Sequence, residues 1–250
     1  MIRHWLERVF WDLYALCYDS ILLLDPYKQM VVDLAEKVRE GLIGLPKRRV
    51  LILGCGTGNL EKALVNNSSL LDIDITSVDL SRAMLKRARA KVGAEAGCRW
   101  VQADVRGQIP VGKYDVVVIS NVAYTIGDGD MMDLVERLRA ARDGRQHLVV
   151  SDPLPTTGFM DYFRCHIGWE GEANKTRRMV TVLLRPIAVM ELVLVALVNI
   201  IIDHRGAGRD YIFRTDEQWA ALVGQNADIG RTYGGLNHLI VSVEEGEDSR

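Results

Sequence analysis

The sequence predicts an α/β fold: a seven-stranded, mostly parallel sheet with an antiparallel closing strand, a helical extension before it and a helical insertion ahead of its last two strands. Three observations carry this. Between residues 45 and 152, short apolar runs alternate with helical periodicities, the rhythm of a parallel sheet with right-handed crossovers. The first apolar run ends in Gly54-Cys55-Gly56-Thr57-Gly58, a glycine turn between a strand and a helix. Near the C-terminus, Ile229 to Tyr233 and His238 to Val243 are strand-like and are joined only by Gly234-Gly235-Leu236-Asn237, so they pair antiparallel.

Taken in order, Ile2 to Leu24 read as an amphipathic helix. Trp5, Leu6, Val9, Phe10, Leu13, Leu16 and Cys17 recur at helical steps, with Arg3, Glu7, Arg8 and Asp12 between them. Asp25-Pro26 opens a second helix through Glu40, with proline suited to its first turn. Val50-Leu51-Ile52-Leu53 is apolar throughout, as a strand buried on both faces requires. Asn59 to Val65 follows as a helix and Ile73 to Leu80 as a strand, and Ser81 caps a helix to Val92. Arg99 to Ala103 and Tyr114 to Ser120 are the next strands, Asp130 to Arg142 a helix, and His147 to Ser151 the fifth strand. Thr215 caps a helix through Val223, and Glu244 to Arg250 form a polar tail. The expected organisation is an extension over 1–44, a core over 45–152 and 210–250, and an apolar helical cap over 153–209.

A chain of 250 residues suits one such domain, with ample apolar residues (48%) for its core. The formal net charge is −2, so no basic field exists to gather nucleic acid, which is not an expected partner. Cys17, Cys55, Cys98 and Cys165 are scattered without zinc-ligand spacing, so no metal is expected and reduced thiols in the cytoplasm are the plain reading. Charges at Arg3, Glu7, Arg8 and Asp12 break up any secretory signal. Val182 to Ile202 is long enough to span a bilayer but contains Arg185, Pro186, Glu191 and Asn199. Central charges cost about 2.5–3.5 kcal/mol each on insertion, so the stretch reads as buried or interfacial.

The glycine turn is spaced G-x-G-x-G. Asn59 stands where a dinucleotide fingerprint needs its third glycine, and no P-loop Lys-Ser/Thr follows. Asp79 ends the second strand about twenty residues on, where a carboxylate can accept from both hydroxyls of a ribose. Helix capping is the competing role, for which Ser81 is better placed. Ile52-Leu53-Gly54-Cys55-Gly56-Thr57-Gly58 resembles motif I of class I S-adenosylmethionine-dependent methyltransferases, and the resemblance implies their Rossmann-like fold and their cofactor. It covers residues 45–152 and returns over 213–243. It further implies that Asp104, at the end of the third strand, accepts from the adenine amino group and that the following N–H, on Val105, reads the ring. Ser120-Asn121-Val122-Ala123-Tyr124 resembles motif IV, beneath the methionine part of the cofactor, and Tyr18 is in the region where related enzymes cover the ligand; a packing tyrosine is the other reading. The expected cofactor-binding set is Tyr18, Gly54, Cys55, Gly56, Gly58, Asp79, Leu80, Asp104, Val105 and Asn121. One position departs: the family usually carries Asp or Glu where this chain has Ile52.

Methyl transfer from a sulfonium needs alignment and dehydration more than an acid–base pair. Tyr124, His166 and His204 are the candidate general bases. Motif IV lacks the prolines found in enzymes that methylate exocyclic amines of bases. The segment 153–209 lies on the substrate side in this family. It combines Lys175-Thr176-Arg177-Arg178 with an almost wholly apolar helix, Ile187 to Ile202, that must be buried, meet another copy as in a homo-oligomer, or lie against lipid. The expected substrate is therefore a small, lipophilic or membrane-derived acceptor, with peripheral contact at the inner face of a membrane as an extension of that reading. A non-catalytic cofactor-binding scaffold and an NAD-type oxidoreductase are the alternatives. The missing third glycine and the closing antiparallel pair speak against the latter.

Overall fold

The computed structural model describes residues 2–15, 18–19, 25–45, 48–66, 73–93, 97–107, 109–141, 145–155, 211–232 and 238–245. The elements are α1 (Ile2–Tyr14), α2 (Asp25–Gly41), β1 (Arg48–Leu53), α3 (Asn59–Val65), β2 (Ile73–Asp79), α4 (Arg82–Val92), β3 (Cys98–Gln102) and β4 (Val116–Ser120), followed by a 3₁₀ turn at Ala123–Thr125. Then come α5 (Asp128–Ala140), β5 (Gln146–Pro153), α6 (Asp216–Val223), β6 (Asp228–Thr232) and β7 (His238–Glu245).

The seven strands form one sheet in the order β3-β2-β1-β4-β5-β7-β6. β1 to β5 are mutually parallel where they pair, and β7 is antiparallel to both β5 and β6. The apolar runs are continuous because both faces are covered. Val50, Ile52, Ile75, Val116, Val118 and Val149 pack on one side with α2 and α3. Leu51, Leu53, Val117, Ile119, Leu148 and Val150 pack on the other with α5 and α6.

The strand-to-helix rhythm is as the sequence implies; the differences lie at element ends. The first helix stops at Tyr14, well before Leu24, and Tyr18–Asp19 lie in a tight turn. Side-chain contacts of Tyr18 and Asp19 with the glycine turn override the helical period there. β4 begins at Val116, although the Asp115 backbone still bonds to Arg49 and His147 on the neighbouring strands; the Asp115 carboxylate accepts the Arg49 backbone N–H at 2.9 Å and the guanidinium at 2.7 and 3.0 Å. β5 continues to Pro153, whose partner is His238, so Asp152 and Pro153 belong to the sheet. α6 starts with a full capping box between Thr215 and Gln218. The apolar insertion, including Pro186, Ile187 to Ile202 and the basic flanks, lies outside the described residues. Among the described residues, no helix is long and apolar enough to cross a membrane.

Candidate functional site

The C-terminal tips of β1 to β5 gather the residues singled out in the sequence. Gly54, Gly56 and Gly58 have φ values of 75°, 54° and 78°, a conformation open to glycine at little cost. Their roles differ. A Cβ on Gly54 would fall 2.8 Å from Val122 and one on Gly58 2.9 Å from Ala88, so these two permit close packing. A Cβ on Gly56 would meet the Tyr18 ring first, at 3.5 Å, so the tyrosine packs over this glycine at van der Waals distance. The turn is pinned to β2 by the Gly54 and Cys55 N–H groups, which donate to the Val78 carbonyl at 2.9 and 3.0 Å. Cys55 is buried, and desolvation pushes its thiol well up.

Asp79 ties the turn to α4. Its carboxylate accepts the Gly56 N–H at 2.9 Å and the Ser81 N–H at 2.8 Å. Burial pushes it up to about 6 despite these bonds. The Leu80 N–H also holds it down; these donors do not exhaust a carboxylate, which offers about four lone-pair sites. The capping role falls to Ser81, whose hydroxyl accepts the Met84 N–H. At the β3 tip, Asp104 accepts the Arg106 N–H at 3.0 Å and its guanidinium at 2.8 to 3.2 Å. The Leu80 carbonyl accepts from Gln102, and the Val105 carbonyl from Arg137.

At the β4 tip, Asn121 has φ 51°, in the left-handed region that asparagine enters more readily than most residues with a side chain. Its N–H donates to the Ser151 carbonyl and its amide nitrogen lies 3.4 Å from the Met30 sulfur. Its buried Oδ1 has no hydrogen-bond partner among the described residues. Tyr124 stacks on Phe213 at 5.9 Å and lies 5.3 Å from Tyr211, forming an aromatic group beside Asn121. Tyr124 and Tyr18 are close enough that the Tyr18 phenol is raised by it, after desolvation, Tyr27 and Tyr14. Of the candidate bases, only Tyr124 is described; His166 and His204 lie outside the described residues.

Several residues that sequence reasoning passed over build the site. Three carboxylates of the N-terminal segment each reach one strand tip. Glu7 accepts from Arg106 at 2.8 Å, Asp12 accepts the Ser81 hydroxyl at 2.5 Å and the Ala83 N–H at 3.1 Å, and Asp19 accepts Thr57 at 2.5 Å and Lys91 at 2.6 Å. Lys91 also donates to Thr57 at 2.9 Å. Asp152 accepts the Tyr124 N–H at 3.0 Å, and burial holds it well above the ordinary range. Arg214, fully buried, donates to the Ala123 and Ile126 carbonyls and to Asp128, fixing the turn that carries Tyr124. In sequence these look like a solvated helix face or ordinary loop charges. Only the juxtaposition of Asp152 with Pro153 at a strand end could have singled one out.

The residue set fits an adenosyl ligand: a glycine turn faced by Tyr18, a carboxylate at each of two neighbouring strand tips, and an orphaned amide oxygen at a third. Among the described residues no group of His, Cys, Asp and Glu could hold a metal ion.

Residues 50–143 match the family model described as a methyltransferase domain. A malonyl-[acyl-carrier protein] O-methyltransferase 1 of Ilyobacter polytropus is 30% identical over 120 residues, which is 48% of this chain and 43% of that protein. The biotin biosynthesis bifunctional protein BioCD of Bordetella avium is 33% identical over 137 residues, 53% of this chain and 27% of that protein. The chain thus matches less than half the length of these relatives. Among solved structures, the DhpI–SAH complex superposes with a TM-score of 0.60 at 16% identity, covering 98% of this chain and 97% of the other. Magnesium protoporphyrin IX methyltransferase from Synechocystis, with bound SAH, gives 0.53 at 17% identity, covering 87% and 82%. At these identities the structural likeness establishes the fold.

Proposed function

We propose that this chain, which belongs to the class I S-adenosylmethionine-dependent methyltransferase family, binds S-adenosylmethionine across the tips of β1 to β4 and transfers its methyl group to a small, lipophilic acceptor. The carrying observation is Asp79, held by the Gly56 and Ser81 N–H groups at the tip of β2, beside the strand that carries the glycine turn. In this reading Asp79 and Leu80 take the ribose, Asp104 and Val105 the adenine, and Gly54, Cys55, Gly56, Gly58 and Asn121 the methionine end, with Tyr18 as cover. The bound cofactor would supply a methyl group on a positively charged sulfur.

The chain's own part is alignment and exclusion of water. Tyr18, held by Tyr27 at 3.3 Å between their hydroxyls, closes the site from the N-terminal side. Tyr124 fronts it from the other, its backbone fixed by Asp152 and by the Ile212 N–H, which donates to the Tyr124 carbonyl at 2.8 Å. Its phenol is the candidate base among the described residues.

A lipophilic acceptor is supported by the Tyr124, Tyr211 and Phe213 group, by the apolar composition of 153–209, and by relatives named for methylating an acyl-carrier-bound malonyl group. Incubation with methyl-labelled cofactor and fractionated cell extract tests this. Label is expected in the organic-extractable or acyl-thioester fraction. Label confined to polar metabolites would exclude a lipophilic acceptor, and binding without any transfer would favour a scaffold. Flotation with anionic liposomes at low salt tests membrane contact, which absence from the vesicle fraction would remove.

A further inference from the structure

Glu61 lies in the first turn of α3, just after the glycine turn, and the methyl transfer described above makes no use of it. It is fully buried. Its Oε1 accepts the Ser77 hydroxyl at 2.6 Å, while its buried Oε2 has no partner among the described residues. Ser77 is in register with Ile52 across the β1–β2 pair, two residues before Asp79. The carboxyl therefore stands behind the two strands whose tips carry the glycine turn and Asp79. Ionisable groups reach it from every side: Cys55 of the turn, Asp79 of β2, Lys91 of α4, Tyr27 of α2 and Cys98 of β3. The cation among these, Lys91, is committed to Asp19, Thr57 and Asn59.

Packing alone does not account for this residue. An apolar side chain would fill the same volume without burying an unpaired oxygen. Burial pushes Glu61 up to about 7, with the Ser77 hydroxyl holding it lower, so modest changes in nearby charge decide whether it is ionised. A ligand that brings positive charge to the turn lowers its affinity for a proton.

We infer that Glu61 is a positioning residue for the cationic cofactor, a buried carboxyl behind the glycine turn that ionises as positive charge arrives and is reprotonated once that charge has left. This rests on the cofactor site proposed above. The proton balance closes. Binding of the sulfonium form releases the Glu61 proton to solvent. After transfer the sulfur is a neutral thioether, and Glu61 takes a proton back. The proton displaced from the acceptor passes to solvent and is the one net proton released by the reaction. Glu61 thereby favours the reactive form of the ligand over the spent one, and does so at the motif I strand, where Ile52 provides no charge.

Calorimetric titration with S-adenosylmethionine and S-adenosylhomocysteine, in buffers of different ionisation enthalpy near pH 7, tests this. The two ligands differ by one positive charge and share their ribose, so any proton released from Asp79 largely cancels in the comparison. The first ligand is expected to release more protons than the second. The ratio of their Kd values is expected to shift towards S-adenosylmethionine between about pH 5.5 and about pH 8.5, by about tenfold for each unit the sulfonium lowers Glu61. In Glu61→Gln, which keeps the volume, both differences should vanish while both ligands still bind. Persistence of the pH drift in that variant, or equal proton release by both ligands in the wild type, overturns the inference. Failure of the wild type to bind either ligand overturns the cofactor site itself. Should Glu61→Gln not fold, Ser77→Ala removes the bond that holds Glu61 down, so the midpoint of the drift should move to higher pH; an unmoved midpoint refutes the assignment.

Discussion

Replacing Asp79 with Asn separates what this side chain does for the fold from what it does for a ligand. In the wild type both of its oxygens accept N–H groups, from Gly56 at 2.9 Å and Ser81 at 2.8 Å. Asparagine retains one oxygen, so one of those donors faces an amide NH₂. An unsatisfied, partly buried N–H costs about 1–3 kcal/mol. In a domain of this size each kcal/mol lowers Tm by about 2–4 °C, so a drop of several degrees is expected, with folding preserved. The ligand loses more. Each hydroxyl bonded to an ionised carboxylate is worth about 1.5–3 kcal/mol, and losing the charge beneath two ribose hydroxyls should weaken binding by about 3 kcal/mol, roughly a hundredfold in Kd. The assay is calorimetric titration of the variant with S-adenosylhomocysteine, beside a thermal melt to certify folding. A folded Asp79→Asn protein that binds within about threefold of the wild type, well inside the loss of one charged hydrogen bond, would refute the ribose assignment.

The glycines give a paired prediction. Gly54→Ala forces a Cβ to within 2.8 Å of Val122 at φ 75° and should cost about 2–4 kcal/mol of stability by chemical denaturation. Gly56→Ala meets Tyr18 first, at 3.5 Å, and should cost less stability yet more ligand affinity; the reverse ranking would contradict the assignment of Gly56 to the ligand. Thr215→Ala removes the hydroxyl that accepts the Gln218 N–H while the backbone N–H of residue 215 can still donate to Gln218 Oε1, and should cost about 1 kcal/mol, read from denaturant midpoints, with ligand binding unchanged. Glu61 and Asp79 are raised to about 7 and about 6 from ordinary values of 4.5 and 3.8. The folded protein thus holds protons that the unfolded chain has released, so their contribution to ligand-free stability falls as pH rises from about 4 to about 7. Denaturation series over that window should show a shallower fall in Glu61→Gln, and an identical slope would show that Glu61 is not so perturbed.

The sheet was legible because its signals are local. Val50-Leu51-Ile52-Leu53 can only be a strand covered on both sides, and the glycine turn, Ser81 and Thr215 mark helix starts by chemistry that acts within a few residues. Asp79 was legible from its distance to the glycine turn. The N-terminal segment was not. Its periodicity runs on to Leu24, yet the helix ends at Tyr14 because Asp19 and Tyr18 find partners on α4 and at the glycine turn, contacts between positions far apart in the chain. Glu7 and Asp12 lie on what reads as a solvated face and instead bond to Arg106 and Ser81. Arg214 looks like a loop charge, but it is buried because three acceptors around Ala123, Ile126 and Asp128 converge on it. Such tertiary pairings leave no periodic trace.

The central claim is that one pocket, made by the glycine turn and the tips of β2, β3 and β4, takes an adenosyl ligand. A crystal structure of the protein with S-adenosylhomocysteine tests it most directly. The account predicts the ribose hydroxyls on the Asp79 carboxylate, the adenine between Asp104 and Val105, and the amino-acid end against the glycine turn and Asn121 beneath Tyr18. A ligand lodged elsewhere, or absent at millimolar concentration with the Asp79 and Asp104 carboxylates facing different surfaces, would contradict it.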